Sequence, residues 1–271
     1  MEIDHIDWEE GWAIMEEAIM KLTNLLEGFP ETQFTSADYM RFYQTAYQMC
    51  IQKPPHDYSA LLYERFRTSI EDYVADKVLP SLREKQGEDL LRDFARRWTN
   101  HRELVRRLSR FLAYLDRYFV EKRKLPKLVD AGTVIFEELV YNEMKSSVTN
   151  VLISMIARER GGEKIDRTLV KTVVNIYLSI DDNLKHYEHD FEAPMLENTS
   201  SYYSLKAANW MRNYTREEYR AKAKACLNEE KERAACYMHS TSASKLEERV
   251  HHELYKAPET ILEKKKCEND T

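Results

Sequence analysis

Glycine and proline are scarce in these 271 residues, at 6 and 7, where average usage would supply about 19 and 14. So few turn-formers leave room for few turns, and the sequence predicts long helices with little sheet. Cysteine is sparse too. Cys50, Cys226, Cys236 and Cys267 are dispersed and form no C-x-x-C pair, so they read as reduced thiols in a cytoplasmic or nuclear protein. No apolar run approaches the roughly 20 residues that span a bilayer. The first ten residues carry Glu2, Asp4, Asp7, Glu9 and Glu10 and lack the apolar core of a secretory signal. Walker loops, G-x-S-x-G elbows and dinucleotide-binding glycine patterns are absent.

The formal net charge of −6 argues against a general nucleic-acid binder. The charge is uneven, however. Between Ser81 and Lys124 there are 13 Lys/Arg against 7 Asp/Glu, so this stretch carries +6 and the remainder −12. A solvated helix face accounts for such a stretch, and a docking patch for an acidic protein is the alternative. Nucleic acid contacting Arg92–Arg110 is a distant third.

What is present is helical periodicity. Trp8, Trp12, Met15, Ile19, Leu22 and Leu26 alternate at steps of four and three, one stripe of a helix ending at Gly28. A second helix covers Tyr39–Cys50, with Ser36 as its N-cap and Pro54-Pro55 beyond it. A third runs from Tyr58 to a stop at Pro80, with Leu62, Phe66, Ile70 and Tyr73 inward. A fourth spans Glu88–Trp98, Thr99-Asn100-His101 forms a break, and a fifth spans Arg102–Val120. The second half continues in this style. Thr133–Arg160 reads as helix bent near Met144–Ser147, and Gly161-Gly162 is the clearest linker. Helices follow at Thr168–Ile180 and around Asn183–Asp190, Ser201–Asn213, Thr215–His239 and Ser244–Tyr255.

Catalytic and metal-binding patterns fail on inspection. His251-His252-Glu253 lacks the second histidine four residues after the first, where Lys256 stands. His186, His189 and Asp190 could meet on one turn, but such triplets are mostly surface polar residues. Cys50 lies in an aromatic helix, where a thiol packs rather than reacts. The sequence therefore predicts no enzyme, no metal and no cofactor.

The strongest signal is that second helix. Eight of the twelve residues from Tyr39 to Cys50 are apolar or aromatic. Met40, Tyr43, Tyr47 and Cys50 make the stripe expected to face the core, with Tyr39, Phe42, Ala46 and Met49 on the adjoining face. One core cannot cover both faces, so half of the helix is expected to meet another protein.

The same stretch carries a resemblance. Tyr39-Met40, Phe42-Tyr43, Tyr47, Met49-Cys50 and Gln52-Lys53-Pro54-Pro55-His56-Asp57-Tyr58 resemble the start of a plant SCF-type cullin. Further matches follow in order: Val78-Leu79-Pro80, Arg97-Trp98-Thr99-Asn100-His101, Leu108-Ser109-Arg110-Phe111 with Tyr114-Leu115-Asp116-Arg117-Tyr118-Phe119, Leu139-Val140-Tyr141-Asn142-Glu143 and Thr199-Ser200-Ser201-Tyr202-Tyr203-Ser204. The match extends from about Ile6 to about Glu263.

That resemblance implies an all-α fold of stacked five-helix cullin repeats forming an elongated rod. Residues 1–150 would be the first, adaptor-binding repeat, 151–263 all or most of the second, and 264–271 a polar tail. It further implies a non-catalytic scaffold of a ubiquitin ligase. In this family the second and fifth helices of the first repeat bind a Skp-type adaptor carrying an F-box receptor. Carried over residue by residue, the adaptor surface would use Tyr39, Phe42, Tyr43 and Tyr47 with Arg107, Phe111, Tyr114 and Arg117. Full-length cullins bind a RING-box subunit through a C-terminal domain with no counterpart in these residues. No RING-box subunit is therefore expected as a partner, nor a membrane, and the polar, divergent ending favours a naturally short cullin-like protein over a cut fragment, an alternative that stays open. A structural helical-repeat protein without a ligase role, a degenerate cullin copy, stays open beside this reading.

Overall fold

Residues 5–30, 33–180 and 183–258 are described by the computed structural model. Every regular element among them is helical. The chain divides into two compact units, Met1–Met144 and Lys145–Thr271. The polar tail 264–271 with Cys267, and residues 259–263 before it, lie outside the described residues.

The first unit opens with α1 (Trp8–Glu27), whose C-cap Gly28 takes the left-handed conformation (φ 85°) that glycine adopts without a Cβ penalty. In α2 (Ser36–Ile51) the N-cap is Thr35 rather than Ser36. Thr35 Oγ1 accepts from the Asp38 backbone N–H while Asp38 accepts from the Thr35 N–H, a reciprocal box that Ser36 could not close. Next comes α3 (Ser59–Tyr73), which does not stop at Pro80. It widens into a π-helical turn, Val74–Val78, and continues as α4 (Leu79–Arg83) with Pro80 in its first turn. The wider turn accommodates the missing N–H and the ring of proline, which a regular α-helix cannot.

The break expected at Thr99-Asn100-His101 is also absent, because α5 runs unbroken from Gly87 to Phe111. Thr99 bonds back to Ala95 O within the helix, and the other two residues serve tertiary contacts. Asn100 Nδ2 donates to Leu26 O at 2.8 Å, and His101 Nε2 meets Gly132 O at 2.7 Å. Burial pushes the His101 pKa down to about 4, so the ring is neutral. The helix is offset at Leu112 and continues as α6 (Ala113–Leu115), the π turn Asp116–Val120 and α7 (Glu121–Arg123). Then come α8 (Leu128–Phe136) and the π turn Glu137–Tyr141. Five helical runs do form, but the expected fourth and fifth are one, and the fifth begins at Leu128.

The second unit holds most of α9 (Asn142–Arg160), then α10 (Arg167–Ile180), the π turn Tyr187–Glu192 leading into α11 (Ala193–Asn213), α12 (Arg216–Tyr237), α13 (Ser242–His251) and the π turn His252–Lys256. Leu169, Val173, Ile176 and Ile180 of α10 are all buried, as their spacing predicts. The irregularity expected near Met144–Ser147 lies earlier, at Glu137–Tyr141.

A buried ion pair ties this unit together. Arg160 at the end of α9 holds Glu230 of α12 through Nε at 2.9 Å and Nη2 at 3.1 Å, with both side chains 1% exposed. Arg160 also donates to Thr199 Oγ1 (2.6 Å) and Asn198 Oδ1 (3.0 Å) of α11. The Tyr203 hydroxyl (3.0 Å) and Arg233 Nη1 (2.7 Å) both donate to Glu230 Oε1. Burial raises the Glu230 pKa, but the hydrogen bond and charge of Arg160, the charge of Arg233 and the Tyr203 hydroxyl outweigh it, leaving the carboxyl below its ordinary value. Stability from this carboxylate is therefore complete above the ordinary glutamate range and is lost as pH falls through the lowered native value.

Removing Arg160 should cost about 3 kcal/mol or more, because Glu230 then keeps Arg233 as its single cation while Thr199 and Asn198 lose their buried donor. Urea unfolding should show that loss for Arg160→Met, with a smaller loss for the Arg160→Met/Glu230→Leu double variant. Glu230→Gln should flatten the acid limb of stability against pH. Wild-type midpoints for the single variants would show that the pair holds nothing together.

Candidate binding surface

In α2 the two apolar stripes are largely exchanged, although Cys50 of the expected core stripe is buried as expected and Tyr39 of the adjoining stripe stays outside. Phe42, Ala46, Met49 and Cys50 are buried together with Thr45, whereas Tyr39, Met40 and Tyr47 are exposed and Tyr43 is half-buried. The neighbouring helix gives the reason. Met49 packs against Gly11 of α1 so closely that a Cβ on Gly11 would lie 2.5 Å from Met49 Sδ. The glycine thereby selects the Phe42–Ala46–Met49 side as the one that can approach α1. Burial also raises the Cys50 thiol to about 12, which makes it inert.

Phe42 (0% exposed) and Phe111 (2%), both assigned to the surface from sequence, are core residues. They are the apolar groups that α2 and α5 offer each other. Their rings lie 5.3 Å apart, and Phe34 sits 5.9 Å from Phe42 and 5.8 Å from Phe111. Tyr39 packs on the outside of this group, its ring 5.4 Å from Phe111.

Outside this core runs a line of tyrosines. Tyr43 stacks on Tyr47 at 6.4 Å, Tyr47 meets Tyr114 edge-on at 4.9 Å, and Tyr114 lies 4.4 Å from Tyr118. The structure thus brings four phenol rings from α2, α6 and the following π turn into one continuous row. Partial burial raises the Tyr114 pKa, with smaller contributions from Tyr47 and Tyr118, so its hydroxyl stays protonated and able to donate. Met40 (52% exposed) and Tyr118 (53%) belong to this face as well; the spacing of Tyr118 from Tyr114 puts the two on one side, whereas Met40 was expected in the core. That Met40 accompanies the tyrosines was legible, since it precedes Tyr43 by three and Tyr47 by seven residues on the same stripe.

The two arginines differ. Arg107 is half-buried and held by Glu103 at 2.5 Å, so its charge is already answered within the helix. Arg117 is exposed, and among the described residues no carboxylate pairs with it. Six of the 13 Lys/Arg in the basic stretch, Arg97 and Arg107 among them, are held in ion pairs, while Lys85, Arg102, Arg110, Arg117, Lys122, Arg123 and Lys124 pair with no carboxylate among the described residues. Arg92 pairs with Glu88, Arg96 with Asp93, Arg106 with Glu103, and Arg83 with Glu143. Such pairs belong to a solvated face.

Among the described residues no group of three or more His, Cys, Asp or Glu could hold a metal ion, and no helix is long and apolar enough to cross a membrane. His186 and His189 both face Asp190, at 3.4 Å and 2.7 Å.

A family model described as "Cullin alpha solenoid domain" matches residues 12–270. The chain is 50% identical to "Cullin-1" of Oryza sativa subsp. japonica over 250 residues, which is 92% of this chain and 34% of that protein. It is 43% identical over 268 residues to "Putative cullin-like protein 2" of Arabidopsis thaliana, 98% of this chain and 70% of the relative. It is 40% identical over 242 residues to "Cullin-like protein 3" of the same plant, with 89% and 93% covered. The chain thus spans about a third of the length of the rice relative.

The contrast between core phenylalanines and outward tyrosines predicts opposite effects on stability. Phe42→Ala and Phe111→Ala should each cost about 3–5 kcal/mol. Tyr47→Ala and Tyr118→Ala should cost at most about 1 kcal/mol, as exposed substitutions do. Urea denaturation followed by circular dichroism measures both, and equal losses in the two groups would contradict this division.

Proposed function

The chain belongs to the cullin family, and from that premise we propose that it is a non-catalytic scaffold component of an SCF-type ubiquitin ligase, binding a Skp-type adaptor that carries an F-box receptor. The tyrosine row Tyr43–Tyr47–Tyr114–Tyr118 supports this reading most strongly. Tyrosine combines a large rigid apolar body with a hydroxyl, and this suits a face that must stay soluble alone and anchor a partner when bound. Tyr39 and Met40 extend the apolar area and Arg117 supplies a spare cation, while Phe42 and Phe111 support the row from beneath. Arg107 steadies the same helix through Glu103.

A protein limited to these 271 residues would hold an adaptor–receptor pair without the part of a cullin that engages a RING-box subunit. Such a protein would compete with full-length cullins for adaptor, in proportion to its concentration over its dissociation constant. Free thiols at Cys50, Cys226 and Cys236 fit work in the cytoplasm or nucleus.

The test is binding of a purified adaptor–F-box complex, followed by titration into a reconstituted ligase. Tyr43→Ala/Tyr114→Ala should weaken adaptor binding by more than tenfold, as loss of about 2 kcal/mol at hot spots implies, with helicity unchanged. The wild-type chain should lower substrate ubiquitination as it is titrated in, and the double variant should not. Unchanged adaptor binding by a folded double variant would sink the interface. Increased ubiquitination would overturn the competitor role.

In the same preparation, retention on nucleic acid should be weak and vanish near physiological salt, since the chain as a whole carries −6 and six of the 13 cations in the basic stretch are held in ion pairs. Sequence-selective binding that survives such salt would favour a different partner class.

A further inference from the structure

A cavity of about 440 Å³ opens in the first unit among the C-terminal end of α1, the middle of α5 and the start of α8. It shares no residue with the tyrosine row. Leu26, Trp98, Val105 and Val129 give it apolar walls, and Arg102 and Arg106 stand along it. The volume lies in the roughly 300–1,000 Å³ range of sites that enclose small molecules.

The polar groups of the wall are nearly all committed. Asn100 Nδ2 is taken by Leu26 O, Thr99 Oγ1 by Ala95 O and Thr133 Oγ1 by Val129 O. Arg106 is held by Glu103, and Glu103 is held in turn by both Arg106 and Arg107. His101 Nδ1 has no partner but is sealed from solvent, so it offers nothing to an occupant. One charge is left. Arg102 is exposed, lies over the Trp98 ring with its guanidinium carbon 5.8 Å from the centroid, and among the described residues meets no carboxylate. The cavity therefore joins apolar walls to one uncommitted cationic fork, and a planar fork of N–H donors selects a carboxylate or another oxyanion.

We propose that this cavity is a binding site for a small apolar anion, its hydrocarbon part between Trp98, Val105 and Val129 and its anionic group on Arg102. The site is independent of adaptor binding.

The probe is 1-anilinonaphthalene-8-sulfonate, an apolar aromatic anion that fluoresces on leaving water, with its neutral counterpart N-phenyl-1-naphthylamine as control. Titration into the full chain should show saturable one-to-one binding of the anion. Arg102→Gln should weaken it at least tenfold, roughly the loss of one charge-assisted contact, and should leave the neutral probe unaffected. Val129→Trp, at an exposed position that fills the mouth, should block both probes. Tyr43→Ala/Tyr114→Ala should block neither. Absence of saturable binding, wild-type affinity in Arg102→Gln and Val129→Trp, or loss confined to the tyrosine variant would overturn the proposal.

Discussion

The contact between Phe42 and Phe111 is the constraint on which the candidate surface depends. Their rings, 5.3 Å apart with Phe34 against both, fix how α2 lies on the end of α5. Only with that crossing fixed do Tyr43 and Tyr47, from α2, come into line with Tyr114 and Tyr118, from the segment beyond Phe111. Phenylalanine and tyrosine divide the work by a single atom. Phe42 and Phe111 have no polar group to satisfy and can be buried completely, whereas each tyrosine hydroxyl needs water or a partner. A row of phenylalanines on the same outer face would make an uncovered apolar patch prone to association.

Much of this was legible in the sequence, and the failures share a cause. Helical content followed from the shortage of glycine and proline, and Gly28 ended α1 where expected. The two apolar stripes of α2 were also visible. Which of them faces inward was not, because that depends on Gly11, thirty-odd residues earlier, leaving room for Met49. Local rules misread Pro80 and Thr99-Asn100-His101 for the same reason. A proline usually ends a helix and a polar triplet usually breaks one. Here a π turn absorbs the first, and contacts from Asn100 to Leu26 and from His101 to Gly132 employ the second. Tertiary packing overrode propensity wherever a polar or irregular residue had a distant partner to meet.

The π turn Asp116–Val120 matters to the surface as well as to the helix. It follows the offset at Leu112, where α5 gives way to α6. A π turn places slightly more residues in each turn than an α-helix does, so it rotates the side chains that follow it. Tyr114 and Tyr118 straddle its start and lie 4.4 Å apart, each ring touching the next. Asp116, within the same turn, accepts from the Leu128 N–H at 3.0 Å and so links the turn to the first residue of α8. The irregular backbone is thus held on both sides, by Leu115 and Val120 in the core and by Asp116 at α8.

Arginine shows how one residue type is distributed over three tasks. Arg160, with Glu230, sits in the interior of the second unit, where four hydrogen bonds reach Glu230, Thr199 and Asn198 and an apolar residue would take a buried donor from each of those acceptors. Arg92, Arg96 and Arg106 are exposed and spend their charge on carboxylates one turn away, which adds little stability but removes a basic field. Arg102 and Arg117 have no carboxylate within the described residues, and each stands beside exposed or cavity-lining apolar groups. A basic stretch of net +6 in a chain of net −6 thus keeps seven cations without a carboxylate among the described residues, Lys85, Arg102, Arg110, Arg117, Lys122, Arg123 and Lys124, spread between its ion pairs. Long-range attraction to a polyanion needs many unpaired charges acting together. Single forks beside apolar surface act at contact distance, where they reward one correctly placed oxyanion and penalise its absence.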